Sequence, residues 1–317
     1  MKVAITGSAG FIGSNLVEAC LLKGWDVIGI DNLSTGFLEM TNANRFGGSG
    51  KYQWCDLDVN DTSELYHAFL GYDVVFHLAA LARVPFSIDH PLEANMANIT
   101  GTLSVLEAAR TAGVKRVVFS CSSSIFGGSN IFPTPEDTEH APLSPYALQK
   151  SAGATYCKLY SELHGLETVS LTYYNVYGKY QRANSAYATV IPAFFEAASE
   201  GKSCRIDGDG GQSRDFCHVD NVVQANILAA EHGGKLMGEL FNVANGETHS
   251  VREVFDSIKS YYGGNVKSYG APARLGDPRK SLADISKAVK VLGYKPKVGF
   301  KEGLKKTADW WQGGCKI

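Results

Sequence analysis

"KVAITGSAGFIG", residues 2–13, is the stretch on which the fold turns. Its opening run, Lys2 to Thr6, is apolar and β-branched enough to form a buried strand, and the helical pattern of 11–23 follows almost at once. Between them Gly7, Gly10 and Gly13 are spaced G-x-x-G-x-x-G. Small residues there let the chain turn tightly and let backbone amides approach a pyrophosphate, which the positive end of the helix would hold. A tight strand-to-helix turn without a ligand looks similar, so the loop needs its surroundings.

Working outward, "DVIGI" (26–30), "YQWCDL" (52–57), "DVVFHLA" (73–79), "RVVFS" (116–120) and "ETVSLTYY" (167–174) read as further strands. Apolar residues at helical spacing fill 11–23, 61–70, 91–112 and 145–164. That alternation predicts an α/β fold, a Rossmann-like doubly wound parallel sheet. After residue 174 the rhythm loosens into glycine-rich turns such as "DGDGGQ" (207–212) and "YYGG" (261–264). The reading is a dinucleotide-binding domain over 1–174 and a smaller α/β substrate domain over 175–317. Residues 215–245 are expected to return to the first domain, because "LFNVAN" (240–245) again reads as a buried strand.

Composition removes several function classes. The 317 residues carry a formal charge of −2, with 44% hydrophobic and 20% charged residues, so no basic field recruits nucleic acid or an anionic membrane. Cysteines at 20, 55, 121, 157, 204, 217 and 315 are odd in number and form no C-x-x-C, which fits reduced cytosolic thiols and argues against a metal site. No apolar run reaches the ~18 residues of a membrane span. Lys2 leads straight into "VAITGSAG", unlike a secretory signal, and the expected compartment is the cytoplasm.

Asp31 ends the second strand eighteen residues beyond Gly13. A carboxylate there accepts hydrogen bonds from both ribose hydroxyls of an adenosine and repels a 2′-phosphate. No arginine follows in "NLSTG" (32–36), so NAD is favoured over NADP.

With "TGSAGFIG" (6–13), "CDLD" (55–58), "HLAALA" (77–82), "NITGT" (98–102), "FSCSSSIFG" (119–127) and "YALQK" (146–150) in that order, the chain resembles the extended short-chain dehydrogenase/reductases. Its second half, with "YYNVYG" (173–178), "SAYATVIPAF" (185–194), "GQSRDFCHVDN" (211–221) and "GDPRKSLADISKA" (276–288), is similar to nucleotide-sugar 4-epimerases, most closely those acting on UDP-N-acetylhexosamines. The resemblance implies a cofactor site made by Gly7, Gly10, Phe11, Ile12, Gly13, Asp31, Asn32, Ser34, Thr35 and Gly36. Asp56 and Leu57 at the adenine belong to it as well. So do Leu78, Ala79, Ala80 and Ala82 beneath the cofactor, Asn98 bracing it, and Tyr146, Lys150 and Tyr173. It implies a substrate site of Arg83, Ser122, Asn175, Ala188, Val190, Arg214, Arg274, Asp277 and Ser281. Arginine forks suit a diphosphate. A local ion pair of Arg214 with Asp215 is the plainer alternative.

The implied reaction removes hydride from C4 of a UDP-hexose onto NAD while a base takes the 4-OH proton; the 4-keto sugar turns over and the hydride returns to its other face. Tyr146 would be the base. Free tyrosine has a pKa of about 10, and the Lys150 ammonium with the nicotinium charge should lower it by about three units, roughly 4 kcal/mol. Their i, i+4 spacing puts both on one helix face. Ser122 would hydrogen-bond the substrate hydroxyl, with Ser123 or Ser124 as neighbour or understudy. Phe126 departs from the tyrosine more usual before Gly127.

Related dehydratases need an acid beside that serine, and "SSSIFG" (122–127) has none, which also disfavours uronic-acid decarboxylation. An NADH-dependent 4-ketosugar reductase is the enzymatic alternative, and a non-catalytic NAD-binding regulator the alternative of another class. Ser281, four places after Asp277, is small enough to admit an N-acetyl group, although serine also caps helices. The expectation is UDP-GlcNAc and UDP-GalNAc, with UDP-Glc and UDP-Gal as further substrates. A homodimer through helices 91–112 and 145–164 is implied by the resemblance.

Overall fold

Strand β1 (Lys2–Thr6) leads into helix α1 (Phe11–Leu22), then come β2 (Asp26–Asp31), β3 (Tyr52–Asp56), α2 (Thr62–Phe69) and β4 (Val74–His77). These belong to a computed structural model that describes residues 1–42, 45–127, 129–183, 189–273 and 279–313. Short helices α3 (Val84–Asp89) and α4 (Pro91–Asn95) precede α5 (Gly101–Thr111), β5 (Arg116–Ser122), α6 (Pro145–His164) and β6 (Glu167–Tyr173). The helix expected over 91–112 is not uniform: a π-helical turn, Met96–Thr100, divides α4 from α5. The wider π turn changes which face of the helix a side chain occupies, and Asn98 lies in its middle.

The second half runs β7 (Val176–Tyr177), α7 (Val190–Ser199), β8 (Cys204–Asp207), β9 (Ser213–Arg214), β10 (Cys217–His218) and α8 (Val219–Glu231). It continues with β11 (Leu240–Val243), β12 (His249–Ser250), α9 (Val251–Tyr261), β13 (Ser268–Ala271), α10 (Ser286–Leu292) and α11 (Phe300–Gln312).

Seven strands form one parallel sheet in the order β11-β6-β5-β4-β1-β2-β3. The order reverses at β1, which pairs with β2 on one side and β4 on the other, and ligands of such sheets bind at the carboxyl ends beside that reversal. Both faces are covered, which is why the strands read as apolar runs rather than alternating ones. On one face Leu16, Val17 and Cys20 of α1 meet Val222 and Ala229 of α8. On the other, Leu65 and Phe69 of α2 pack with Leu106 of α5 and Cys157 of α6. A third cluster joins Phe194 and Phe195 of α7, Ile206 of β8, Phe255 and Ile258 of α9 and Leu304 of α11.

The late strand β11 closes one sheet edge, and charged side chains occupy its outward backbone groups. Asn242 N–H donates to the Glu136 carboxylate at 2.8 Å, and Lys287 donates to Leu240 O at 3.0 Å. Edge strands blocked this way resist pairing with another chain. Among the described residues no helix is long and apolar enough to cross a membrane, and no group of three or more His, Cys, Asp or Glu is placed to hold a metal.

Candidate active site

At the end of β1 the chain turns because only glycine fits there. Gly7 has φ +71°, and a Cβ on it would lie 2.7 Å from Ala79 N. A Cβ on Gly13 would stand 2.0 Å from Gly7 O. Gly7 N–H donates to Ile30 O at 2.8 Å, tying the loop to β2. Asp31, at the end of β2, accepts from Ala9 N at 3.0 Å and Leu33 N at 2.8 Å. Burial raises its carboxyl above the usual range, and those two amide bonds oppose the rise.

Asn32 donates to Asp58 at 2.8 Å and accepts from Ser34 N at 3.1 Å, shaping the turn that carries Ser34 and Thr35. A Cβ on Gly36 would come within 2.7 Å of Asp31 Oδ1. Asp56 is paired in register with Asp31, with Leu57 next along. Phe11 and Ile12 open α1 and pack against the core. A backbone cradle with no room for methyl groups, flanked by a strand-end carboxylate, fits the adenosine diphosphate half of a dinucleotide.

Beside it, the run after β4 is held from below. Leu78 N–H donates to Thr6 O and Ala79 N–H to the Thr6 hydroxyl. His77 is buried between Thr6 (Nδ1, 2.8 Å) and Thr102 (Nε2, 2.9 Å). Thr102 gives its own proton to Asn98 O, so His77 carries hydrogen on Nε2 and accepts at Nδ1. Burial pushes its pKa down to about 3, so it stays neutral. Asn98 accepts from Leu81 N (2.8 Å) and donates to Leu81 O (3.2 Å) and Gln149 Oε1 (2.7 Å). Its amide thus grips the segment holding Ala80, Ala82 and Arg83, and joins that segment to α6. Arg83 is exposed at the start of α3.

Helix α6 begins where its orphan amides find acceptors. Pro145 has none to satisfy, Tyr146 N–H donates to Ser87 Oγ at 3.0 Å, and Ala147 N–H to the capping Ser144 Oγ at 3.2 Å. Gly153 brings the helix close onto β5: a Cβ there would lie 2.5 Å from the Phe119 ring. Lys150, 3% exposed, consequently reaches Ser120 O at 2.8 Å and lies 4.9 Å from the Phe119 ring centroid. Tyr146 is part-exposed through its ring, its hydroxyl end is buried, and Ser122 is that hydroxyl's hydrogen-bonding neighbour.

The electrostatics depart from the expectation drawn from sequence. Burial pushes the Tyr146 phenol up to about 12, only partly opposed by the Ser122 hydrogen bond, and pulls the Lys150 ammonium down to about 8. Lys150 does not bring the phenol down because its amine is turned to Ser120 O and it is itself desolvated.

The remaining residues come from the second half. Arg214 is buried on β9 and donates to Ser213 O; Ser281 N–H donates to that same carbonyl at 3.1 Å. Asp215 gives its carboxylate to three backbone amides, of Asn245 (2.9 Å), Gly246 (3.0 Å) and Ala283 (3.3 Å). Burial still pushes it up to about 7. It therefore stitches the chain after β11 to the segment carrying Ser281. Asn175 accepts from Cys217 N, and Val190 opens α7. Tyr173 is buried with its hydroxyl committed to Asn226 on α8. Ala188, Arg274 and Asp277 lie outside the described residues. Gln149, Ser87, Thr6, His77 and Thr102 were not singled out from sequence; all but Ser87 lie inside the quoted motifs "YALQK", "TGSAGFIG", "HLAALA" and "NITGT".

Glycine cradle, strand-end carboxylate and a Tyr–Lys couple on one helix are those of a dinucleotide-binding enzyme. Residues 3–244 match the profile of the NAD dependent epimerase/dehydratase family. A UDP-glucose 4-epimerase of Mycolicibacterium smegmatis is 38% identical, over 98% of this chain and 99% of its own. Among solved structures, the UDP-glucose 4-epimerase of Thermotoga maritima with UDP-glucose superposes with a TM-score of 0.93 at 36% identity, covering 100% of both chains. A UDP-N-acetylglucosamine 4-epimerase of Methanobrevibacter ruminantium, in complex with UDP-N-acetylmuramic acid, gives 0.92 at 38% identity over 98% of each chain. The chain belongs to the NAD dependent epimerase/dehydratase family, and NAD is its cofactor.

Proposed function

We propose that this NAD-dependent nucleotide-sugar 4-epimerase, an isomerase, takes UDP-N-acetylglucosamine and UDP-N-acetylgalactosamine, with UDP-glucose and UDP-galactose as further substrates. The observation that carries the N-acetyl preference is Ser281, a small side chain whose backbone is pinned to Ser213 O beside Arg214. A small residue leaves room where a bulky one would exclude the acetamido group. The relatives' names support both kinds of UDP-hexose.

Each residue has a separate task. Gly7, Gly10 and Gly13 keep the loop and the start of α1 free of side chains so that the pyrophosphate can come close to the backbone, and Asp31 takes the adenosine ribose. NAD, when bound, supplies the hydride acceptor and a cationic nicotinium ring. Tyr146 Oη receives the 4-hydroxyl proton and later returns it. Lys150 would hold the ribose on the nicotinamide side of the bound cofactor. Arg214 holds the UDP diphosphate, assisted by Asn175, Arg274 and Asp277.

The test is a panel of four UDP-sugars with the epimers separated, run on wild type and Ser281→Tyr. Wild type should interconvert both pairs, and the variant should lose at least about tenfold on the N-acetylated pair alone. Equal loss on both pairs would sink the gatekeeper role, and net NADH consumption would favour the reductase.

We also propose a homodimer. Leu92 and Met96 lie exposed on segments that pack against α6, and on α6 the exposed Leu148, Leu159 and Leu163 share one face. Apolar patches of this kind mark contact surfaces. Light scattering should give twice the chain mass, and Leu163→Glu should halve it; a monomeric wild type would end the idea.

A further inference from the structure

We propose that Ser124 is a positioning residue that holds Ser122 as a hydrogen-bond donor, so that the substrate proton reaches Tyr146 directly rather than through Ser122. This rests on the 4-epimerase reading above. The sequence offers three consecutive serines without ranking them; the turn they form does. Strand β5 ends at Ser122, and the 3-10 turn Ser123–Phe126 starts at once, with Ser122 as its cap. Ser122 Oγ accepts from Ser124 N at 3.3 Å and from the Ser124 hydroxyl at 2.9 Å.

A hydroxyl oxygen has two lone pairs and one proton. Ser124 engages both lone pairs of Ser122, so its proton is all that Ser122 has to offer. Tyr146 is the neighbour to which that proton can be given, and a hydrogen bond donated to the phenolate lowers the phenol. Hydrogen bonds in series polarise one another, and the order Ser124, Ser122, Tyr146 runs toward the phenolate. For Ser122 to accept the sugar proton, one contact from Ser124 would have to break first. In the direct step the O4–H bond breaks, the proton bonds to Tyr146 Oη, and the O–H electrons form the carbonyl as the C4 hydride leaves for the cofactor. Ser122 and Ser124 keep their protons throughout. Ser122 is then free to steady either the phenolate or the sugar oxygen.

The experiment uses NAD-loaded protein and the variants Ser124→Ala and Ser124→Thr. Ionisation of Tyr146 is followed by ultraviolet difference titration, with Tyr146→Phe as the blank. Turnover is followed with UDP-N-acetylglucosamine. Ser124→Ala should raise the Tyr146 midpoint and lower kcat about tenfold with KM within about twofold. Ser124→Thr, which keeps the hydroxyl, should restore most of both. An unmoved midpoint in Ser124→Ala, or a threonine variant as impaired as the alanine one, would overturn the proposal. If wild type interconverts no UDP-sugar, the epimerase reading fails, while the titration still decides the role of Ser124.

Discussion

Tyr146→Phe is expected to lower turnover by at least about a thousandfold while leaving fold and NAD retention unchanged. The ring survives the substitution, and so does what places it. Tyr146 N–H still meets Ser87, Pro145 still opens the helix, and Gly153 still seats α6 on Phe119. Only the phenol oxygen is removed, and with it the acceptor proposed for the substrate proton. The protein's own groups leave that phenol at about 12, so the nicotinium charge has to bring it into a useful range. The acid limb of the pH–rate profile, where protonated Tyr146 cannot act as base, should therefore vanish with the oxygen. Kinetics beside a circular-dichroism melt and a count of bound NAD decide the matter; a variant turning over at near wild-type rate would overturn the assignment.

The second large effect lies at the opposite end of the cofactor site. Gly13→Ala places a methyl carbon 2.0 Å from Gly7 O and 2.8 Å from Gly7 C, both backbone atoms within the loop. No side chain can rotate to relieve that clash, so either α1 shifts or the loop opens. We expect a loss on the order of 3 kcal/mol in stability and a fall in NAD affinity of a hundredfold or more, because the loop proposed to face the pyrophosphate is the one that must move. Calorimetric Tm and NAD titration measure the two losses separately. A variant that keeps both would show that the loop tolerates far more movement than its contacts imply.

The sheet was legible because its strands, the edge strand β3 apart, are mostly buried on both faces. β1 occupies the expected span 2–6, and α6 the expected 145–164. The spacing of glycines and the acid at 31 likewise announced their place, since backbone geometry leaves few alternatives to glycine. Other features have no linear signature. The π turn at 96–100 is apolar and helical in pattern, and becomes visible only when Asn98 is seen gripping Leu81. The spacing of Tyr146 and Lys150 marks them as candidates, yet their electrostatics are not written in it, because desolvation depends on what covers a side chain. Nor could sequence alone order Ser122, Ser123 and Ser124: a proton's direction depends on who accepts and who donates.

Strand β11 carries a consequence for biosynthesis. It supplies the sheet with its last strand, and its partner β6 is made long before it, with residues 174–239 synthesised in between. At roughly 5–20 residues per second on the ribosome, β6 waits several seconds for that partner. During the wait its apolar run "ETVSLTY" presents an unpaired row of N–H and C=O groups. The nascent chain therefore passes through a stage in which its most recently formed edge is open, and the Glu136 and Lys287 plugs can act only once Leu240 to Val243 have joined.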